Sequence, residues 1–224
     1  MRIILIRHGD PNYEKDCLTE LGHKQAKVAA ERLLEEGIEE IYSSPQGRAM
    51  QTAEYFSKAS GIQEIQTLEF IREIRYGREG ELYDQKWHPW SGADELVWKG
   101  QDLRTDEWRE YPVYKENYAT VDADKIGVEA DKWLSTLGYQ REGLYYRCTR
   151  KDDRQKTIAV FCHGGASSAF IARVLNISFP YACALLHFQH TAISILRFDK
   201  TPGRLTLPVI ELMNDARHLR NVTD

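Results

Sequence analysis

Three times along this chain a short apolar run gives way to a polar or glycine turn and then to apolar residues at helical spacing. No other feature narrows the possible folds as much. Ile3 to Ile6 is a continuous, β-branched run, the pattern of a parallel strand covered on both faces. The helix that follows places Ala26, Ala29, Ala30, Leu33 and Leu34 on one stripe, with Thr19 as its N-cap and Gly37 as its stop. Ile41-Tyr42 begins the second unit. There Ser44 is expected to cap a helix with Pro45 at its first position, Ala49, Thr52, Ala53 and Phe56 on the buried face and Gly61 at the end. The third unit runs from Thr157 to Cys162 through His163-Gly164-Gly165 into a helix over Ala166 to Leu175. Strand-like segments, Ala192 to Phe198 and Leu207 to Leu212, close the chain. The expected class is α/β with a mostly parallel central sheet.

With 224 residues, 42% of them hydrophobic, the chain is expected to form one domain over 1–224. Between about 76 and 154 the texture changes. All five tryptophans fall there, and only one clear helix, near 122–138, carries Ile126, Ala130, Trp133, Leu134 and Leu137 on one face. That helix is assigned to the core. The remainder is read as an inserted, cap-like segment covering the site, or alternatively as a peripheral subdomain away from substrate.

The formal charge is −4, from 30 basic and 34 acidic residues with no basic block, so a nucleic-acid partner is not expected and local arginines must gather any anionic substrate. Cys17, Cys148, Cys162 and Cys183 lie far apart without metal-ligand spacing and read as reduced thiols. No metal and no cofactor is expected; His187 and His190 lack a third ligand in the sequence and read as pocket-wall or core-edge residues. The apolar run before Arg7 is too short for a signal segment or a membrane span, so a cytoplasmic protein with no membrane association is expected.

The ionisable residues sit where α/β sheets place ligands, at the carboxyl ends of strands. Arg7-His8-Gly9 ends the first strand, Arg48 opens a helix after Ser43-Ser44-Pro45, and His163-Gly164-Gly165 follows another buried strand. A phosphoryl group suits such surroundings, because its transfer spreads charge over equatorial oxygens and calls for positioned positive charge and amide donors. Arginine holds two oxygens at once without deprotonating, and helix N-termini add backbone N–H groups.

In this respect the chain resembles the histidine phosphatase, or phosphoglycerate mutase-like, superfamily. The matching segments are Leu5-Ile6-Arg7-His8-Gly9-Asp10, Leu18-Thr19-Glu20-Leu21-Gly22 with Gln25-Ala26, the stretch from Ser43 to Ala53, Ile71-Arg72-Glu73 with Gly77, Cys162-His163-Gly164-Gly165, and Asn214-Asp215 with His218-Leu219. The resemblance implies a three-layer α/β/α fold and a metal-independent phosphatase acting on a small phosphorylated substrate. It makes His8 the nucleophile that becomes phosphohistidine and Glu73 the proton donor. Arg7, Arg48 and His163 would hold the phosphoryl oxygens, with Gly164 adding to that set.

The chain departs from the family pattern at two places. Glu14 stands where many members carry an Asn, so Asn12 or a main-chain donor takes that contact, and the segment after Glu73 leaves Glu79 and Glu81 as alternative acids. Phosphatase is favoured over mutase because only eight residues, Asp10 to Cys17, separate Gly9 from Leu18. A non-catalytic binding module on the same fold is the remaining alternative. The surface arginines Arg72, Arg75, Arg78, Arg104 and Arg109 would suit a second anionic group on the substrate. The sequence names neither the ester nor the oligomeric state.

Overall fold

The first strand, β1 (Arg2–Arg7), alternates between two apolar layers. Ile3 and Leu5 join one buried cluster while Ile4 and Ile6 join another. A strand buried on both faces needs helices on both sides, and the chain supplies them. The computed structural model describes residues 1–222.

One layer is α1 (Glu20–Leu33) packed on α2 (Gly47–Ser60), whose Ala30, Leu33, Ala53 and Phe56 meet Ile4 and Ile6. The opposite layer is α4 (Tyr118–Thr136) packed on α5 (Gly164–Leu175), where Ile126, Trp133, Leu134 and Phe170 meet Ile3 and Leu5. The two layers differ in size, the second cluster reaching on into the segment around α3 (Pro89–Trp98), which packs on α6 (Phe179–Leu185).

Between the layers lies a six-stranded sheet. With β2 (Glu40–Ser43), β3 (Ile65–Thr67), β4 (Thr157–Cys162), β5 (Ile193–Arg197) and β6 (Val209–Asp215), the order is β6-β5-β1-β4-β2-β3. β1, β4, β2 and β3 run parallel; β5 is antiparallel to β1, and β6 to β5. In register, Arg7 pairs with Cys162 and Ser43 with Phe161. The chain therefore leaves β1, β4 and β2 at one edge, with His8, His163 and Ser44 as the next residues. The fold is the expected three-layer α/β/α arrangement with a mostly parallel sheet.

Several local expectations are corrected. Pro45 is not the first helical residue: the chain stays extended through Gln46, the N-cap at φ −70° and ψ 134°, and α2 starts at Gly47. Ser44 Oγ, expected as the cap, accepts from Gln46 N at 3.3 Å and also meets His163. Leu34 falls in a 3-10 turn before Gly37 and is 50% exposed, so the apolar stripe of α1 ends at Leu33. The helix expected near 122–138 begins earlier, at Tyr118, because Asn117 caps it through Ala119 N at 2.9 Å.

The segment 76–154 also holds more structure than its weak periodicity suggests. Besides α3, it includes a hairpin of Tyr139–Glu142 and Tyr145–Cys148 that pairs with Leu205–Thr206. Asn117 is fully buried and ties its parts together, accepting from Gly77 N at 3.1 Å and donating to Trp87 O at 2.8 Å and Val113 O at 2.6 Å. Among the described residues no single helix is long and apolar enough to cross a membrane.

Candidate active site

His8 continues β1 by one backbone bond, its N–H donating to Cys162 O at 3.0 Å, and its carbonyl accepts from Thr191 N at 3.2 Å. The ring is almost fully buried. Nδ1 lies 2.7 Å from Gly9 O, a partner that only accepts, so Nδ1 carries the proton and Nε2 keeps a lone pair. That lone pair accepts from Arg48 Nε at 3.2 Å. Burial holds the His8 pKa well below the ordinary histidine value, and Arg48, Arg7 and His190 push the same way against the Gly9 bond. The imidazole is thus neutral with a fixed tautomer, the state a nitrogen nucleophile requires.

The turn after His8 is held from both neighbouring helices. Gly9 N donates to Thr52 Oγ1 at 3.1 Å and Asp10 N to Gln25 Oε1 at 2.7 Å. Gly22 lets α1 approach this closely, since a Cβ there would lie 2.2 Å from Asp10 O.

Arg48 stands in the first turn of α2, nearly buried. Its NH1 pairs with Asp16 Oδ1 at 2.5 Å, while Asp16 Oδ2 accepts from Gly47 N at 2.8 Å. Asp16 thereby fixes the guanidinium with Nε turned to His8. Arg7 donates through NH1 to Phe188 O at 2.5 Å, and its Nε has no protein partner although buried. His163 contacts Ser44 Oγ through Nε2 at 2.8 Å and its Nδ1 is likewise buried without a partner. Its pKa is also held well below the ordinary value by burial, then by His8, Arg48 and Arg7. The His8 and His163 rings lie 5.1 Å apart between centroids. Two unpaired polar atoms beside two guanidinium groups form a cluster whose unmet valence suits an anion.

Glu73 reaches this cluster from the loop after β3. Its N–H donates to Gln46 Oε1 at 2.6 Å, and Oε1 accepts from Ile74 N at 3.0 Å and Ala166 N at 3.1 Å. Gly165 makes the approach possible, because a Cβ there would sit 2.6 Å from Glu73 Oε1 and 2.5 Å from Ile74 Cγ1. Burial raises the Glu73 pKa above the usual carboxyl value, and this outweighs the opposing pull of the two amides and of Arg7 and Arg48. Such a carboxyl can hold a proton where an exposed one has lost it.

A cavity of about 700 Å³ opens over these groups. Its lining combines Arg7, Arg48, Glu73, Gly164 and Gln46 with the rings of Tyr76, Tyr83, His88, Trp90 and Phe188. Of the expected site residues, Arg7, Arg48, Glu73 and Gly164 line it, and His8 and His163 lie behind that lining, His8 against Arg48 Nε and against the His163 ring. Asn12 does not line the cavity: its Oδ1 accepts from Lys15 N at 3.0 Å and closes the turn between Pro11–Asn12 and Cys17–Leu18. Glu79 is exposed and Glu81 is held by Lys86 Nζ at 2.6 Å and Trp87 Nε1 at 2.7 Å, and neither reaches the cavity.

His187 lines the cavity, whereas His190 lies against His8 and, at 3.6 Å, Asp10, so the two do not converge on one point. Burial lowers the His190 pKa to about 4, which leaves it neutral beside that carboxylate at neutral pH. The five surface arginines stay outside the cavity. Arg72 pairs with Glu69 at 3.0 Å, Arg75 with Asp122 at 2.6 Å, Arg104 with Asp102 and Arg109 with Asp124 at 2.8 Å, and Arg78 donates to Pro112 O and Lys115 O.

Sequence reasoning did not single out Asp16 or Gln46, which hold Arg48 and Glu73. Both act on partners distant in sequence, Asp16 on Arg48 and Gln46 on Glu73, which local spacing does not reveal. It also left the C-terminal motif without a physical role. In the structure Asn214 holds the loop before β5, accepting from Gln189 N and donating to His187 O, each at 2.9 Å. His218 Nε2 lies 2.9 Å from Thr191 Oγ1, beside the Thr191 N–H that meets His8 O.

Residues 3–125 match the model of the histidine phosphatase superfamily, branch 1. A protein of Yersinia enterocolitica named "Probable phosphoglycerate mutase GpmB" is 24% identical over 228 residues, covering 98% of this chain and 95% of its own. Among solved structures, phosphoserine phosphatase from Entamoeba histolytica in complex with 3-phosphoglyceric acid superposes with a TM-score of 0.65 at 22% identity, over 97% of this chain and 98% of that one. A mycobacterial glucosyl-3-phosphoglycerate phosphatase superposes with a TM-score of 0.62 at 20% identity, over 95% and 98%.

Proposed function

The chain belongs to the histidine phosphatase superfamily, and from that membership we propose that it hydrolyses a small phosphomonoester through a phosphohistidine formed on His8. The observation that carries the reading is that two arginines and the Glu73 carboxyl line one cavity, with the neutral His8 imidazole directly behind Arg48 and beside His163.

The substrate's phosphoryl group enters between Arg7 and Arg48 and takes up the unpaired Arg7 Nε and His163 Nδ1, while the first turn of α5, at Gly164, adds its N-terminal dipole. Arg48 Nε shifts from His8 Nε2 to a phosphoryl oxygen, which frees the lone pair to attack phosphorus in line with the leaving oxygen. The P–O bond to the alcohol breaks as the N–P bond forms, and the protonated Glu73 gives its proton to the departing alkoxide. The resulting carboxylate then takes a proton from water as that water attacks the phosphohistidine, which restores His8 and releases phosphate.

Water as acceptor is supported by the short loop between Gly9 and Leu18. It folds into the two-residue pairing of Pro11–Asn12 with Cys17–Leu18 and supplies only Tyr13 to the cavity. The name of the Yersinia relative favours a mutase as the second reading. Product analysis separates the two. A panel of phosphomonoesters should yield one inorganic phosphate per alcohol and no positional isomer, whereas conversion of 3-phosphoglycerate to 2-phosphoglycerate without net phosphate release would contradict the hydrolase.

A further inference from the structure

We propose that the alcohol carried by the substrate is an uncharged, ring-bearing one, and that the site discriminates against phosphate esters with a second anionic group; this rests on the phosphatase reading above. The cavity holds two arginines, and both belong to the phosphoryl end. A bound phosphate dianion matches their charge, so a carboxylate or second phosphate further out would be desolvated beside Glu73 with no lysine or further arginine in the lining to meet it. None of the five surface arginines that could have filled that role lines the cavity, and each is engaged by a carboxylate or by backbone carbonyls.

What faces the leaving group instead is a set of rings. Tyr76 meets Tyr83 at 5.2 Å and His88 at 5.0 Å between centroids, both edge-on, and His88 meets Trp90 at 5.3 Å. Phe188 adds a further ring to the lining, on the residue whose carbonyl anchors Arg7. Such a wall offers faces and edges to a planar apolar group and no fixed positive charge to an oxyanion.

Tyr83 adds a second, independent observation. Its backbone lies at φ 61°, in the left-handed region where a bulky residue is an outlier, and it is held there by Tyr83 N donating to Tyr76 O at 2.8 Å. The side chain is half exposed, so core packing gives no reason for a tyrosine at this position. The strained turn places a ring on the cavity wall.

Equilibrium binding of two non-hydrolysable phosphonates tests the inference without depending on turnover. Benzylphosphonate and 3-phosphonopropionate are similar in length and present a phenyl ring or a carboxylate at the same end. The wild-type protein should bind the first about tenfold to a hundredfold more tightly, the worth of burying a side chain of that size. Tyr83→Gly suits the local φ and so spares the fold; it should shrink that ratio by about threefold to tenfold, as for loss of one edge-to-face contact. Equal binding, tighter binding of the carboxylate, binding of neither, or a ratio untouched by Tyr83→Gly overturns the proposal. If the phosphonates bind in the expected order but no ester releases phosphate, the phosphatase reading fails while the selectivity of the cavity stands.

Discussion

Replacing His8 with alanine is expected to lower phosphate release by about 10⁴-fold or more, because the covalent route loses its nucleophile and no other group stands at that point. The fold should survive. His8 belongs to neither apolar cluster, and its ring contacts are a backbone carbonyl, Arg48 and two other imidazoles. Steady-state phosphate release, with near-ultraviolet circular dichroism on the same samples, checks both halves. Comparable turnover in a folded variant would mean that the reaction runs through another group.

The second large effect concerns Glu73. Glutamine in its place keeps the acceptor oxygen that meets Ile74 N and Ala166 N, so the loop geometry is preserved and only the transferable proton is lost. Alkyl phosphates, whose alkoxide must be protonated as it leaves, should slow by about 10²- to 10⁴-fold. Nitrophenyl phosphate, with a leaving group that departs unaided, should slow far less in its first step. Burial raises the Glu73 pKa, so the wild-type enzyme keeps its acid protonated above the ordinary carboxyl range. Its rate on alkyl esters should fall as pH rises through that elevated value, and this limb should be missing from Glu73→Gln. Equal slowing of both ester classes would assign Glu73 a positioning role. The leaving-group signature appearing in Glu79→Gln or Glu81→Gln instead would contradict the geometry, which keeps both carboxyls out of the cavity.

Much of this architecture is legible in the sequence because it is written in local periodicity. The runs at Ile3 to Ile6 and Thr157 to Cys162 are apolar without alternation, as strands covered on both faces must be, and both became central strands. Thr19 and Gly61 bound their helices because capping depends on the nearest few residues. The α3 helix was missed for the complementary reason. Its stretch shows no clear helical periodicity, Ser91 and Gly92 are weak helix formers, and the ten-residue helix is held by tertiary packing on α6, with Ala93 and Leu96 buried.

The site divides along the same line. His8, Arg48 and His163 follow strand ends, which sequence can locate. Asp16 is a lone acid in a short loop, and its value comes from a partner that the fold brings to it across a distance in sequence. Asn12 has a suitable residue type and stands near His8 in sequence, but a local bond to Lys15 N takes its side-chain oxygen. The aromatic wall drew on the tryptophan-rich segment without following its composition. Of the five tryptophans only Trp90 lines the cavity, while Trp108 and Trp133 are buried in the core.

The central claim, a covalent phosphohistidine on His8, is tested most directly by trapping it. Protein mixed with ³²P-labelled ester and denatured within milliseconds in alkali should retain label that maps to the peptide carrying His8, is stable in base and is lost in acid, as a phosphoramidate is. Label that survives acid, or rapid phosphate release with no label on the protein at any time, would contradict it.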